Sequence, residues 1–149
     1  MLMNIIHEFN IEGGIGGYRL NLSNQRLQHD RRIKLVGNGV KKGNGTSIPV
    51  HREILSYDEL IDDKHAMKVG DKSDEYLGFV VGFIVLNHAK LIAYFDAVDN
   101  GLDLVSYKDA INIAFKEYSM MYKPSNTAKI RRDANEHVRL IRAGLIEDT

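Results

Sequence analysis

The chain has 149 residues, of which 44% are hydrophobic and 27% are charged, and it contains no cysteine. This length fits one domain with a sizeable core, and the composition argues against disorder. The lack of cysteine excludes disulfides, thiolate zinc sites and cysteine nucleophiles, and it fits a reducing compartment. Residues 1–12 lack the basic flank of a signal peptide, so we expect a cytoplasmic protein.

Charge is balanced over the whole chain but is unevenly distributed along it. Residues 1–52 carry eight Lys/Arg against three Asp/Glu, residues 53–109 carry five against twelve, and residues 110–149 carry seven against five. All nine arginines lie in the first 52 residues or after residue 130. Because guanidinium suits bidentate contact with phosphate or carboxylate, this segregation predicts two anion-facing surfaces. The alternative is internal pairing, in which the basic ends fold back onto the acidic middle.

The first third of the chain has the pattern of short strands joined by glycine turns. Residues 18–22 and 31–36 alternate apolar and polar side chains, which predicts half-buried strands with Ile33 and Leu35 on one face. Pro49 suits an edge position or the end of a strand. Tight turns are predicted at the glycine-rich segments 13–17, 37–39 and 43–45.

After residue 55 the signals become helical. Ser56 and Glu59 form a capping-box pattern that predicts a short acidic helix ending near Met67. Asp74 is the predicted cap of a buried helix that runs to about Asn87, and residues 90–97 are predicted to form a strand.

The apolar run 76–95 is long enough to cross a membrane. However, Asn87, His88 and Lys90 cluster in its second half, where a spanning helix would have to bury a lysine. A buried core helix followed by a strand is the better account, so we expect no membrane insertion.

The last two predicted helices form a pair. Ser106 and Asp109 give a second capping box, opening a helix that Pro124 must end. The final helix is predicted from about Thr127 to Ala143, with Ser125 or Asn126 as its cap and Gly144 just past its end. Each helix has an apolar stripe expected to face the core: Ile111, Ala114, Phe115, Tyr118 and Met121 in the first, and Ile130, Ala134, Val138, Ile141 and Leu145 in the second.

These patterns predict one α+β domain over residues 1–149, with an N-terminal antiparallel sheet of short strands and hairpins packed against a C-terminal helical layer. Residues 1–52 are the basic part, rich in strands and turns. Residues 53–149 are mainly helical and begin with the acidic middle.

The basic face of the final helix is the first candidate site. Its arginines fall within an arc of about 100° on the helical wheel, and no acid of the same helix lies inside that arc. With the preceding helix it has the pattern of a helix-turn-helix, or alternatively of an ordinary helical hairpin with a solvated basic face. The predicted phosphate-contacting residues are Arg131, Arg132, Arg139 and Arg142.

A second basic cluster lies among the N-terminal turns, where a backbone can approach phosphates closely. The alternative is that these charges protect an exposed edge strand from mispairing. The predicted nucleic-acid-binding residues of this cluster are Arg26, Arg31, Arg32, Lys34, Lys41 and Lys42.

The leading functional hypothesis is a non-enzymatic regulatory module that contacts nucleic acid, or a nucleic-acid-handling complex, through these arginine-rich faces. We expect no catalytic residue, no cofactor and no metal. The alternative is a protein-binding inhibitor or adaptor, of the type that mobile elements such as phages encode against host defences, whose acidic middle faces a basic protein. The residues of that alternative surface are Asp58, Glu59, Asp62, Asp63, Asp71, Asp74 and Glu75.

A metal-dependent nuclease is the second alternative. His29, Asn44 and His51 are spaced 15 and 7 residues apart, loosely like the His-Asn-His spacing of ββα-metal nucleases. Asp30 follows the first histidine, whereas that pattern has an acid before it, and no clear helix follows Asn44. The glycine loops do not match a P-loop or a dinucleotide-binding fingerprint.

Overall fold

The computed structural model describes residues 7–24, 31–37, 45–68 and 73–149, except for the side chains of residues 73 and 74. Within these residues an antiparallel sheet of four strands is followed by five helices, which confirms the predicted α+β layout. The elements are β1 (Glu8–Ile15), β2 (Tyr18–Ser23), β3 (Arg32–Val36), β4 (Ser47–Pro49), α1 (Tyr57–Ile61), α2 (Ser73–Leu86), α3 (His88–Asp99), α4 (Val105–Met121) and α5 (Thr127–Arg142).

The sheet has the strand order β1-β2-β3-β4, and each strand pairs with its sequence neighbour. The strands predicted at 18–22 and 31–36 are confirmed as β2 and β3. Ile33 and Leu35 are buried while the intervening Lys34 is half-buried, which is the alternation of a strand with one face on the core. Pro49 ends β4 at the edge of the sheet, where its missing N–H is tolerated, as predicted.

The first glycine-rich segment forms the turn between β1 and β2 at Gly16 and Gly17. Gly16 has a φ of 58°, and a Cβ added there would collide with the ring of Tyr76, so this position favours glycine on two grounds. The other two predicted turns, at 37–39 and 43–45, lie largely within residues 38–44, which are outside the described residues. Gly45, at the end of the third glycine-rich segment, is in a turn with a φ of 103°.

The capping box of α1 is confirmed. The Ser56 hydroxyl accepts from the Glu59 N–H at 3.2 Å, and the Glu59 carboxylate accepts from the Ser56 N–H at 3.0 Å. The predicted helix end near Met67 is wrong, because α1 stops at Ile61. Met67 instead pairs with Ser47 through two backbone hydrogen bonds of 2.8 and 3.0 Å, which extends the sheet beyond β4.

The strand predicted at 90–97 is wrong, because this segment belongs to the helix α3. Leu91, Tyr94, Phe95 and Val98 are buried at spacings of three and four residues, which is the repeat of a helix and not of a strand. The predicted Asp74 cap is also wrong, since α2 begins at Ser73 and Asp74 lies inside the helix.

The apolar run 76–95 is therefore divided between two helices. Among the described residues no single helix is long and apolar enough to cross a membrane. The helical segments 75–86 and 88–99 reach that length only together, and they are bent by 80° relative to each other. The side chain of Asn87, at the bend, donates to the Phe83 carbonyl oxygen at 3.3 Å.

The capping box predicted at Ser106 and Asp109 is wrong, because α4 begins at Val105 and Ser106 lies inside the helix. Its N-terminal flank is Leu104, and the Asp103 carboxylate accepts from the Val105 N–H at 3.0 Å. Four of the predicted core residues of α4 are buried, whereas Met121 is exposed at the last position of the helix. The buried residues are Ile111, Ala114, Phe115 and Tyr118.

Helix α5 agrees closely with the prediction. It begins at Thr127 and ends at Arg142, and Gly144 follows with a φ of 72°. Of the predicted apolar stripe, Ile141 is half-buried, and Leu145 is exposed because the chain has already left the helix. The buried part of the stripe consists of Ile130, Ala134 and Val138.

The central element of the helical layer is α2, against which α1, α3 and α5 all pack. The Tyr118 hydroxyl on α4 donates to the Phe79 carbonyl oxygen on α2 at 2.6 Å, so α4 is also fixed to it. Helix α1 contacts α5 as well as α2, which places the acidic first turn of α1 beside the basic face of α5.

Candidate functional site

The arginines at the two ends of the α5 face are paired with carboxylates of α1. Arg131 binds Asp58 in a bidentate manner, with Nε–Oδ1 at 2.7 Å and Nη2–Oδ2 at 3.0 Å. Arg142 donates to Glu59 Oε1 at 2.8 Å and to the Ile54 carbonyl oxygen at 3.3 Å. These contacts join residues that are 73 and 83 positions apart in the sequence, so helical periodicity does not reveal them.

The other two arginines of this face are paired with acids of α5 itself. Arg132 Nε lies 3.3 Å from Asp133 Oδ1, and Arg139 binds both carboxylate oxygens of Glu136 at 2.9 and 2.5 Å. Each of the four arginines therefore has a carboxylate partner. No acid of α5 itself lies inside the arginine arc. In the folded chain, however, α1 brings Asp58 into contact with an arginine of the arc.

The pKa values of the α1 carboxyls reflect this pairing. The hydrogen bond from Arg131 holds the pKa of Asp58 below its ordinary value of 3.8. Hydrogen bonds from Ser56, followed by that from Arg142, lower the pKa of Glu59 below its ordinary value of 4.5. Both carboxylates are thus charged at neutral pH and offset the arginine charge locally.

The described members of the N-terminal basic cluster lie against other elements. Arg31 is 6% exposed and contacts Asp96 at 2.9 Å and Asp99 at 2.5 Å, both on α3. Arg32 donates to the His65 carbonyl oxygen, and Lys34 is half-buried within β3. The remaining predicted members, Arg26, Lys41 and Lys42, lie outside the described residues.

Arg31 also lines a polar cleft of about 490 Å³ between the sheet and α3. Arg52 shares the carboxylate of Asp96 with Arg31, at an N···O distance of 2.5 Å. Hydrogen bonds from Arg52 and then Arg31 lower the pKa of Asp96, although partial burial acts in the opposite direction. The two arginines of the cleft are thus matched by two aspartates. The lining residues are Arg31, Val50, His51, Arg52, Asp96, Asp99 and Asn100.

His51 is the described member of the predicted nuclease set, since His29 and Asn44 lie outside the described residues. Its Nε2 lies 2.6 Å from Asp63 Oδ2, and its carbonyl oxygen contacts His88 Nε2 at 2.7 Å. Burial would raise the pKa of Asp63, but hydrogen bonds from the His65 N–H and from His51 bring it below its ordinary value. Within the described ranges no three His, Cys, Asp or Glu side chains are grouped so that they could hold a metal ion.

The predicted acidic surface is also divided by the fold. Asp58 and Glu59 pair with arginines of α5, and Asp63 contacts His51 and the His65 N–H. Asp62 and Glu75 are exposed. Asp71 lies outside the described residues, and the side chain of Asp74 is not described.

The outer face of α4 is not among the surfaces predicted from the sequence. Val105, Ile113 and Met120 are 65, 59 and 74% exposed, and they lie with Asp109 and Lys116 within an arc of about 80°. We call these five residues the α4 outer face. Leu102, just before the helix, adds a further exposed apolar side chain.

The sequence contains a signal for this surface. Helix α4 has apolar residues on two opposite sides, and only one side can face the core. The stripe through Ile111, Phe115 and Tyr118 is the buried one, so the apolar residues at 105, 113 and 120 are left at the surface.

Comparison of the chain with protein-family models, curated proteins and solved structures gives no match.

Proposed function

We propose that the protein is a non-enzymatic binding module and that its partner is a protein, bound on the α4 outer face. The observation that carries the proposal is the exposure of Val105, Ile113 and Met120 on one side of a well-anchored helix. Exposed apolar side chains along one helix face, alternating with charged ones, are found at protein-binding surfaces with a mixed composition. The cysteine-free composition fits action in the cytosol.

The composition of the α4 outer face supports a protein partner more than a lipid one. Asp109 and Lys116 lie within the same arc as the apolar residues, so the face has one charge of each sign. Such a mixture suits an interface with an apolar centre and specific charge contacts. Methionine side chains such as Met120 adapt their shape to a partner at low energetic cost.

This proposal retains the inhibitor or adaptor class but moves the contact surface. Three of the acidic residues first assigned to a basic partner, Asp58, Glu59 and Asp63, are engaged within the chain. A basic partner would have to replace those contacts. The α4 outer face requires no such exchange.

Nucleic acid is the second candidate partner, and one observation favours it. The pairs made by Arg131, Arg132, Arg139 and Arg142 are exposed, and exposed ion pairs contribute little to stability. A phosphate can therefore compete with the carboxylates for these guanidinium groups. The competing carboxylates weaken such binding relative to an unpaired arginine face.

The test is affinity capture from the cells that make the protein, with and without nuclease treatment. We expect capture of a protein that survives nuclease digestion and is lost with Ile113→Glu. The matched control is Leu145→Glu, which changes another exposed apolar residue, 67% exposed and outside the helices, and should leave capture intact.

Capture that disappears with nuclease, or that is unaffected by Ile113→Glu, would contradict the proposal. The nucleic-acid alternative has its own signature. If it holds, Arg131→Ala and Arg132→Ala each weaken binding in a sequence-independent manner and reduce the salt slope by about one unit.

A further inference from the structure

The residues of the α4 outer face are arranged almost symmetrically about the middle of the helix. Asp109 and Lys116 lie 3.5 positions on either side of a midpoint between Asn112 and Ile113, which corresponds to about 5 Å along the axis. Val105 and Met120 lie 7.5 positions on either side of the same point, or about 11 Å. The face therefore has matching apolar ends and opposite charges at equal distances from its centre.

This arrangement is complementary to itself when reversed. If two such helices lie antiparallel with their midpoints aligned, Asp109 of each copy is level with Lys116 of the other. Val105 of each copy is level with Met120 of the other, and the two Ile113 side chains meet close to the two-fold axis. A parallel arrangement would instead place like charges side by side, which is unfavourable.

The two charged residues are available for such contacts. Within the part of the chain that the structure describes, the side chains of Asp109 and Lys116 form no ion pair or hydrogen bond. They contrast with the α5 arginines, whose carboxylate partners are on the same chain.

We propose that the partner of the α4 outer face is a second copy of this chain, bound antiparallel through α4 across a two-fold axis near Ile113. The inference rests on the proposed function, because it assigns a partner to the same surface. An isologous contact of this kind closes after two copies and gives a dimer. Two symmetry-related Asp109–Lys116 pairs would fix its direction and register.

The experiment is sedimentation equilibrium of the full chain over a range of concentrations, with circular dichroism to show that each variant is folded. We expect a reversible monomer–dimer equilibrium for the unmodified chain. Ile113→Glu places two like charges at the two-fold axis and should raise the dimer Kd about tenfold or more. Leu145→Glu should leave the Kd unchanged.

Charge reversal tests the direction of the contact. Asp109→Lys or Lys116→Asp alone creates two repulsive pairs across the interface and should raise the Kd about three- to tenfold. The double variant restores both pairs with reversed polarity, so its Kd should return to within about twofold of the original. Such restoration is not expected if the two residues act independently.

A chain that stays monomeric, a dimer that tolerates Ile113→Glu, or a double variant no better than the single ones would each overturn the inference. Nuclease-resistant, Ile113-dependent capture of a different protein by a monomeric chain would also overturn it while leaving the proposed function standing. If the chain is monomeric and captures nothing, both fail.

Discussion

The outer faces of α5 and α4 differ in whether their exposed charged side chains have partners within the same chain. Helix α5 has four arginines on one side, and each is held by a carboxylate of α1 or of α5. Helix α4 presents apolar side chains and two charged residues that have no partner within the described part of the chain. The face of α5, which the sequence suggests first as a binding surface, is thus the one whose charges are paired within the fold.

The difference shows why charge density alone is a poor guide to a binding surface. An external anion gains less from a guanidinium that must first give up a carboxylate. An exposed apolar side chain has no competing internal partner, and its burial by another protein is favourable by about 25 cal/mol per Å² of apolar surface. The proposal therefore places binding on α4, and the arginine pairs of α5 are internal contacts that an external anion would have to displace.

The largest loss of stability is expected for a substitution in α2, which contacts both α4 and α5. A methyl group on Gly82 of α2 would collide with Ile130 of α5 and with the Tyr118 hydroxyl of α4. We expect Gly82→Ala to lower the free energy of unfolding by about 2–3 kcal/mol, because two packed side chains must move. Urea unfolding followed by circular dichroism measures this change.

Gly78→Ala is the matched control, since a methyl group there would clash only with the hydroxyl end of Tyr57. It should be less destabilising than Gly82→Ala. Equal stability of Gly82→Ala and the unmodified chain would mean that α4 and α5 are not fixed on α2 as described, and the comparison of their faces would lose its basis.

The second prediction contrasts a buried arginine with the exposed ones of α5. Asp96→Ala removes one of two carboxylates from the buried Arg31. We expect a loss of about 2 kcal/mol in the free energy of unfolding, less than for a fully broken buried pair because Asp99 still contacts the guanidinium.

Urea unfolding of both variants provides the measurement, and the control is Arg52→Ala, which removes the exposed arginine from the same carboxylate. Arg52→Ala should change the free energy of unfolding only slightly. If both variants were equally destabilising, burial would not distinguish the arginine pairs of this protein.

The third prediction concerns the pH dependence contributed by two carboxylates of α1, Asp58 through its pair with Arg131 and Glu59 through the capping box with Ser56 and then through Arg142. The folded-state pKa values of Asp58 and Glu59 are depressed from 3.8 and 4.5. Their contribution to stability is therefore present above about pH 4.5 and is lost as pH falls through the lower folded-state values. The effect is small, because both side chains are exposed and screened.

Chemical unfolding at a series of pH values from neutral to acidic provides the measurement. The combined Asp58→Asn and Glu59→Gln variant should show a flatter loss of stability in the acidic range than the unmodified chain. An unchanged acidic slope would show that the hydrogen bonds and ion pairs of these two carboxylates do not stabilise the folded state.

The smallest effect is expected for Arg132→Ala. Arg132 is exposed, and its partner Asp133 is the adjacent residue at 3.3 Å. We expect the free energy of unfolding to change by no more than about 0.5 kcal/mol. A larger loss in urea unfolding would mean that the α5 face makes structural contacts beyond its ion pairs.

Local signals in the sequence were sufficient for much of the fold. The alternation in β2 and β3, the Ser56–Glu59 capping box and the bounds of α5 depend on residues close together in sequence, and the structure confirms them. The strand predicted at 90–97 is wrong because this segment lies in the helix α3. The helical spacing of Leu91, Tyr94 and Val98 was the informative feature.

The candidate site was less predictable, for a physical reason. The arginine arc of α5 follows from helical geometry, but its neutralisation depends on Asp58 and Glu59, which the fold brings from more than 70 positions away. The α4 outer face lies opposite the predicted core stripe of α4, but helical periodicity does not show whether another element of the chain covers it.

The most direct measurement of the central claim is photo-crosslinking from the two faces in parallel. A benzophenone side chain is placed at position 113 on α4 or at position 132 on α5, and adducts are collected from intact cells that make the protein. We expect a protein adduct from position 113 and none, or much less, from position 132. A nucleic-acid or protein adduct from position 132 with none from position 113 would contradict it.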